Sequence, residues 1–325
     1  MAHALDSTVR LTGDALELIT VRLRPLLAIF EDPGVTSVNY NGQGRTYCVR
    51  SGVRSVVAGV DLSETAASSA LRELATLAGF DLAPGTPNGI VDAEFPGFRF
   101  CGVLAPIATF GTTFSIRRHL PRSLALEDYV KAGTLSAELA AQLRELVIQG
   151  VHMLIAGSTD SGKTTFLNAL SREIPLRTRV VSIEDTRELM LLVDDWTALQ
   201  TNVKGGVTAT HLIERTMRLE PDRILLGELR TSVAADFIEA ANTGHLGCMA
   251  TIHSNSAMSA LERMETLCLK RGGEWPLPAI QREIGAAIGC IAHFKKVNGM
   301  RRLNELVLVD GFETSTGRYA VRSIM

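Results

Sequence analysis

The stretch VHMLIAGSTDSGKTTFLNAL, residues 151–170, decides how the rest of the chain is read. Its first six residues are an apolar run of strand length, and Phe166–Leu170 reads as part of a helix. Between them Gly157-Ser158-Thr159-Asp160-Ser161-Gly162-Lys163-Thr164 matches G-x-x-x-x-G-K-[ST] in full. Four such fixed positions would match by chance in a chain of this length on the order of one time in a hundred. Glycines let the backbone bend so that successive N–H groups point inward, and the following helix adds its positive end. The stretch reads as a nucleotide site, in which Lys163 would reach the β- and γ-phosphates, the Thr164 hydroxyl would ligate Mg²⁺, and Thr165 would touch an α-phosphate. Asp160 stands within the loop as its only charged residue before Lys163. Aspartate tolerates the left-handed backbone region better than most residues, but its charge beside phosphates is a liability.

Downstream of the loop, strands at 179–183, 223–227 and 248–252 alternate with helices at 162–172, 208–219, 231–242 and 256–268. That alternation predicts an α/β domain with a mainly parallel sheet covered on both faces, followed by terminal strands at 288–297, 302–310 and 318–323. Helical patterns precede it at 126–132 and 136–149. Upstream, residues 14–31 carry apolar positions at helical spacing, stopped by Asp32-Pro33-Gly34. Short strands at 35–40, 45–50 and 53–58, a helix from Ser63 to Leu77, and strands at 90–95, 98–104 and 112–117 predict a small α+β domain. The division expected is residues 1–118, a linker at 119–135, and the nucleotide-binding domain at 136–325.

Two further strands end in acids. Val180–Ile183 runs into Glu184-Asp185, and Ile224–Leu226 runs into Gly227-Glu228. Ligands of doubly wound sheets lie at the carboxyl ends of strands, so both acids can face the phosphate loop. One would orient or deprotonate the attacking water and the other would support Mg²⁺. His245 and His253 flank a short strand, with His253 at the end where a γ-phosphate would be sensed.

Composition excludes several classes. The chain has 325 residues, 46% hydrophobic and 21% charged, with 33 basic against 35 acidic side chains. It is neither disordered nor coated with the positive charge of a general nucleic-acid binder. The basic clusters at Arg22/Arg24, Arg117/Arg118 and Arg301/Arg302 lack interleaved aromatics, so no specific nucleic-acid binding is expected. Five cysteines at 48, 101, 248, 268 and 290 form no C-x-x-C pair, which predicts reduced thiols and no zinc site. No signal-peptide core opens the chain, and the apolar runs are too short for a bilayer, so a soluble cytoplasmic protein is expected. Lacking an N/T-K-x-D motif and an Arg-rich lid, it reads neither as a GTPase nor as a small-molecule kinase.

Taken together, the motifs resemble the secretion ATPases of type II, type IV pilus and type IV secretion systems. GSTDSGKTT at 157–165 is the Walker A loop, and RVVSIEDTREL at 179–189 looks like the family's Asp box. RLEPDRILLGELR at 218–230 is similar to its atypical Walker B, with Gly227 where aspartate is usual, and TGHLGCMATIHSNSA at 243–257 looks like its His box. The resemblance implies a PAS-like N-terminal domain, a RecA-like ATPase domain and a homohexameric ring at the inner face of the cytoplasmic membrane. It also implies contact with inner-membrane secretion-machine proteins, with peripheral membrane contact compatible. ATP would be hydrolysed with Mg²⁺, Glu184 as base, Glu228 as Walker B acid and His253 at the γ-phosphate, with the division between the two glutamates left open. Arg99 and Arg117 match the N-terminal arginines that reach the phosphates. No C-x-x-C pairs are present, and residues 124–147 look like the linker of TrbB-like conjugal-transfer ATPases, close to the VirB-type branch. The rivals are a pilus assembly or retraction motor and a DNA-translocating motor.

Overall fold

The computed structural model describes residues 23–325 apart from 33, 51, 96–97, 119–123, 203–204, 231–232, 273–274 and 298–299. The chain folds as two units, Met1–Leu120 and Pro121–Met325.

In the first unit a six-stranded antiparallel sheet runs in the order β3-β2-β1-β6-β5-β4. Its strands are β1 (Val35–Tyr40), β2 (Thr46–Arg50), β3 (Val53–Val57), β4 (Ile90–Phe95), β5 (Phe98–Val103) and β6 (Thr113–Arg118). Helix α1 (Glu64–Leu77) begins where the Ser63 hydroxyl accepts the Ala66 N–H, and it buries Ala67, Ala70, Leu71, Leu74 and Ala75. These pack with Val38, Tyr40, Phe100, Phe114 and Ile116 of the sheet in one core. Glu64, at the first position of the helix, also accepts from the Thr112 N–H and hydroxyl, which ties the helix to the start of β6. Most of the expected first helix, residues 14–22, lies outside the described residues. Arg24–Leu27 is α-helical and Ala28–Glu31 continues as a 3₁₀ turn.

Helices α2 (Leu126–Lys131) and α3 (Ala137–Ile148) belong to the second unit. Leu126 and Leu135 are buried in its core, so this half of the expected linker is packed structure. The unit is a three-layer sandwich around an eight-stranded sheet, order β14-β13-β12-β7-β11-β10-β8-β9. The strands are β7 (Met153–Gly157), β8 (Arg179–Glu184), β9 (Asp195–Gln200), β10 (Arg223–Leu226), β11 (Met249–Ile252), β12 (Cys290–Val297), β13 (Met300–Glu313) and β14 (Arg318–Ser323). From β12 to β9 all pairings are parallel, and β13 and β14 close the other edge antiparallel.

Alternation sorts the two faces. Leu154, Ala156, Ile224, Leu226, Ala250, Ile252 and Ile291 meet helices α5 (Ala209–Thr216), α6 (Val233–Asn242), α7 (Ala257–Leu269) and α8 (Leu277–Ala287). Met153, Ile155, Leu225, Met249, Cys290, Ala292 and Phe294 meet α2, α3 and α4 (Lys163–Ser171). A strand buried on both faces must be apolar throughout, and all five residues of β7 are buried. The sequence reading lacks two of these elements, edge strand β9 and helix α8.

Candidate active site

Strands β7, β11, β10 and β8 are neighbours in that order, so their carboxyl ends form one row. The phosphate loop, residues 157–162, leaves β7 and enters α4. Its shape is set by backbone. Gly157 has φ +150°, and a Cβ there would lie 2.4 Å from the Phe294 carbonyl oxygen of β12. Asp160 has φ +61° and Gly162 φ +98°. Glycine fits such angles without steric cost, and aspartate is among the few other residues that visit them. The Ser161 hydroxyl is fully buried and has no hydrogen-bond partner. An unpaired buried hydroxyl at the base of a loop rich in backbone N–H groups suits an anionic oxygen ligand. Beside the loop lies a groove of about 580 Å³, lined by Ser158, Thr159, His253, Ser254, Asn255 and Ser259 among others.

Lys163, the first residue of α4, is only 7% exposed. Its Nζ donates to the Ser158 carbonyl at 2.9 Å and lies 3.2 Å from His253 Nδ1. His253 Nε2 is 3.3 Å from Glu228 Oε1. A lysine ammonium only donates, so His253 accepts at Nδ1 and gives its own N–H to Glu228, which makes it a neutral ring. Burial, and then the Lys163 charge, hold the His253 pKa below its ordinary value. Burial likewise lowers the Lys163 pKa, against the pull of Glu228 and Asp160. Burial pushes the Glu228 carboxyl up, but Arg230, His253 and Lys163 together hold it below the usual range. Arg230 reaches Glu228 at 2.7 Å and Asp185 at 3.3 Å, so it bridges the acids of two strands.

Glu184, at the end of β8, is 4% exposed and its pKa is raised to about 7. Burial is the main cause, opposed by the N–H groups of Glu188 and Leu189, which both donate to Oε1 at 2.9 Å. A Cβ on Gly227 would lie 3.2 Å from Glu184 Cγ. Gly227 therefore leaves the room that the Glu184 side chain fills, a physical reason for glycine at that position.

Sequence reasoning missed Asn168. This α4 residue is buried and donates to the Glu188 carbonyl at 2.9 Å while accepting the Met190 N–H at 2.8 Å. It ties the helix behind the phosphate loop to the segment that Glu184 also holds. Its signal was a polar residue within the apolar run Phe166–Leu170. His245 lies at the opposite end of β11 from His253, with Nδ1 3.0 Å from the Ala240 carbonyl, and does not join the site.

In the first unit, Arg99 and Arg117 are direct cross-strand partners on β5 and β6. Arg99 makes two hydrogen bonds to Asp92, at 3.1 and 2.6 Å. Arg118 is turned away, donating to the Phe30 carbonyl and lying over the Phe30 ring. Among the described residues no cluster of three or more His, Cys, Asp or Glu forms a metal site, the five cysteines are free, and no helix is long and apolar enough to cross a membrane.

A phosphate loop at the end of a central parallel strand, with acids and a histidine on the adjacent strand ends, defines the P-loop class of α/β domains. The chain belongs to the type II/IV secretion system protein family, which matches residues 97–298. It is 34% identical over 303 residues to a probable conjugal transfer protein TrbB of Sinorhizobium fredii, covering 92% of this chain and 90% of that one. It is 44% identical over 228 residues to the type IV secretion system protein PtlH of Bordetella pertussis, covering 61% of this chain and 66% of that one. The X-ray structure of the Legionella pneumophila ATPase DotB shares the fold, with a TM-score of 0.64, 17% identity and coverage of 87% and 79%.

Proposed function

We propose that the chain is an ATP hydrolase, working as a homohexameric ring, that powers assembly of or transfer through a type IV secretion or conjugation machine. The observation that supports this most is the gathering of Lys163, Glu228 and His253 into one connected chain beside the 157–162 loop. ATP is the substrate. The backbone of residues 157–163 receives its phosphates, with Ser161 offering the one buried hydroxyl that lacks a partner among the described residues, and Thr165 lies nearest the α-phosphate.

The donor types suit Mg²⁺: the Thr164 hydroxyl and the Glu228 carboxylate, which stays ionised, would hold it. The ion would neutralise charge on the phosphate oxygens. Lys163 leaves its contact with the Ser158 carbonyl to meet the β- and γ-phosphates. Glu184, titrating near neutrality, takes the proton of the attacking water. His253 reports the γ-phosphate by its link to Glu228. Arg99 and Arg117, paired across one sheet face, supply the cations that neutralise the transferring phosphoryl group from the N-terminal domain. The ring would work at the cytoplasmic side of the inner membrane, against secretion-machine proteins there. Nucleic acid has no part in this reading.

The test is Mg²⁺-dependent ATP hydrolysis per subunit across a protein dilution series. Specific activity that rises with concentration and parallels a hexameric mass supports the ring. Hydrolysis that stays flat in a protein that is monomeric throughout overturns the ring. No hydrolysis and no ATP binding at any concentration overturns the reading of the site.

A further inference from the structure

The β12–β13 hairpin carries an arrangement of charge that a ribbon alone would not favour. In its register Lys296 faces Arg301 and Lys295 faces Arg302, so two like-charge pairs stand directly across the strands, one on each face. Like charges in that position repel, and an anion between them removes the repulsion. On one face the anion is Asp160 of the phosphate loop. Arg301 Nη2 lies 2.5 Å from Asp160 Oδ1, Arg301 Nε donates to the Asp160 carbonyl at 3.0 Å, and Lys296 Nζ stands 3.6 Å from Oδ2. The arginine stem continues over the loop, since a Cβ on Gly162 would meet Arg301 Cδ at 3.1 Å. Asp160 is the one non-glycine residue of the loop in the left-handed region.

We propose that Arg301, supported by Lys296, is a positioning residue for the phosphate loop: it neutralises the Asp160 carboxylate and fixes its left-handed backbone, keeping the loop receptive to a nucleoside triphosphate. Two effects follow from one contact. An aspartate facing phosphates would repel them, and two cations turn the local charge positive. A non-glycine residue at φ +61° is strained, and the paired bonds from one guanidinium to its carboxylate and its carbonyl hold it there. The hairpin thereby becomes a second support of the loop, beyond the strand and helix that flank it. This inference rests on the reading of residues 157–165 as an ATP site.

The experiment is a double-mutant cycle on the full chain, with Mg-ATP affinity measured by titration calorimetry at fixed salt. The proteins are wild type, Arg301→Ala, Asp160→Gly and the double variant, each compared within its own background. Arg301→Ala is expected to weaken ATP binding roughly five- to tenfold when Asp160 is present. In the Asp160→Gly background the same change is expected to have no effect, because the carboxylate to be neutralised is gone and glycine holds the left-handed angle without strain. Arg301→Lys should restore part of the affinity, and steady-state hydrolysis should show the loss in KM more than in kcat. Lys296→Ala gives a second, smaller loss with the same erasure and serves if Arg301→Ala does not fold. An equal loss in both backgrounds overturns the inference, because Arg301 would then touch the nucleotide itself. An unchanged affinity for Arg301→Ala also overturns it. A wild-type protein that binds no ATP overturns the reading of the site and this inference with it.

Discussion

On one side of the site residues 157–163 owe their shape to backbone angles, and on the other residues 184–190 and 227–230 owe theirs to side chains. The first wall depends on Gly157, Asp160 and Gly162 holding positive φ. The second depends on side-chain bonds: Glu184 to the Glu188 and Leu189 N–H groups, Asn168 to the Glu188 carbonyl and the Met190 N–H, and Arg230 to Glu228 and Asp185. A backbone-built wall fails abruptly, because no neighbour can relax around a misplaced chain. A side-chain wall fails in steps, one hydrogen bond at a time. That contrast orders the expected effects.

The largest should come from Gly157→Ala, whose Cβ would sit 2.4 Å from the Phe294 carbonyl. ATP binding is expected to fall about a hundredfold or more, with a stability loss of about 2–3 kcal/mol in denaturant unfolding. A variant that binds ATP normally would break the claim that this wall is rigid. On the chemical step rather than on binding or stability, Glu228→Gln and Glu184→Gln are each expected to lower hydrolysis by about 10²-fold while ATP still binds, read by comparing kcat with nucleotide affinity.

Glu184 adds a pH signature. Hydrolysis should rise with pH through about 7 and lose that limb in Glu184→Gln, as a pH–rate profile would show. Stability runs the other way. The folded state holds this proton more tightly than an ordinary glutamate of pKa 4.5, so the stability it contributes is complete below 4.5 and is lost as the pH rises through about 7. Glu184→Gln should flatten that part of the unfolding curve.

Asn168→Ala sharpens the comparison further. Two backbone groups of the 188–190 segment lose their partner, at a cost of about 1–3 kcal/mol. Hydrogen exchange at Met190 should quicken while the phosphate loop keeps its protection. The smallest effect belongs to Arg230→Ala. Its side chain is 57% exposed, so thermal unfolding should register no more than about 1 kcal/mol.

Legibility in the sequence follows the same divide. The phosphate loop is local, and the letters from Gly157 to Thr164 carried its strand, turn and helix. The alternation of elements, and with it the α/β class with a mainly parallel sheet, was readable for the same reason. Strand β9 was not, because as an edge strand it has no fully buried face: all its residues are half-buried or exposed. Helix α8 leaves a trace in Leu277, Ile280, Ile284 and Ala287, three and four apart behind Pro276. The partners of Asn168 and Arg301 were beyond reach, since each depends on strand order and on hairpin register. Arg301 stood out in the sequence only as half of a basic pair, and its partner lies 141 residues away. The short strand between His245 and His253 was legible as well, and β11 holds the two rings at its opposite ends.

The glycine at position 227 has a consequence for how such a site can change. The Glu184 side chain fills the space beside it, so placing an aspartate at 227 would crowd that glutamate before its carboxylate found a metal. Shortening Glu184 first would empty the space and release the backbone of Glu188 and Leu189. Each single substitution is therefore a loss on its own, and only the pair together could reach the more usual arrangement. Two positions 43 residues apart in sequence are bound into one mutational unit, and a path that changes them one at a time crosses a valley.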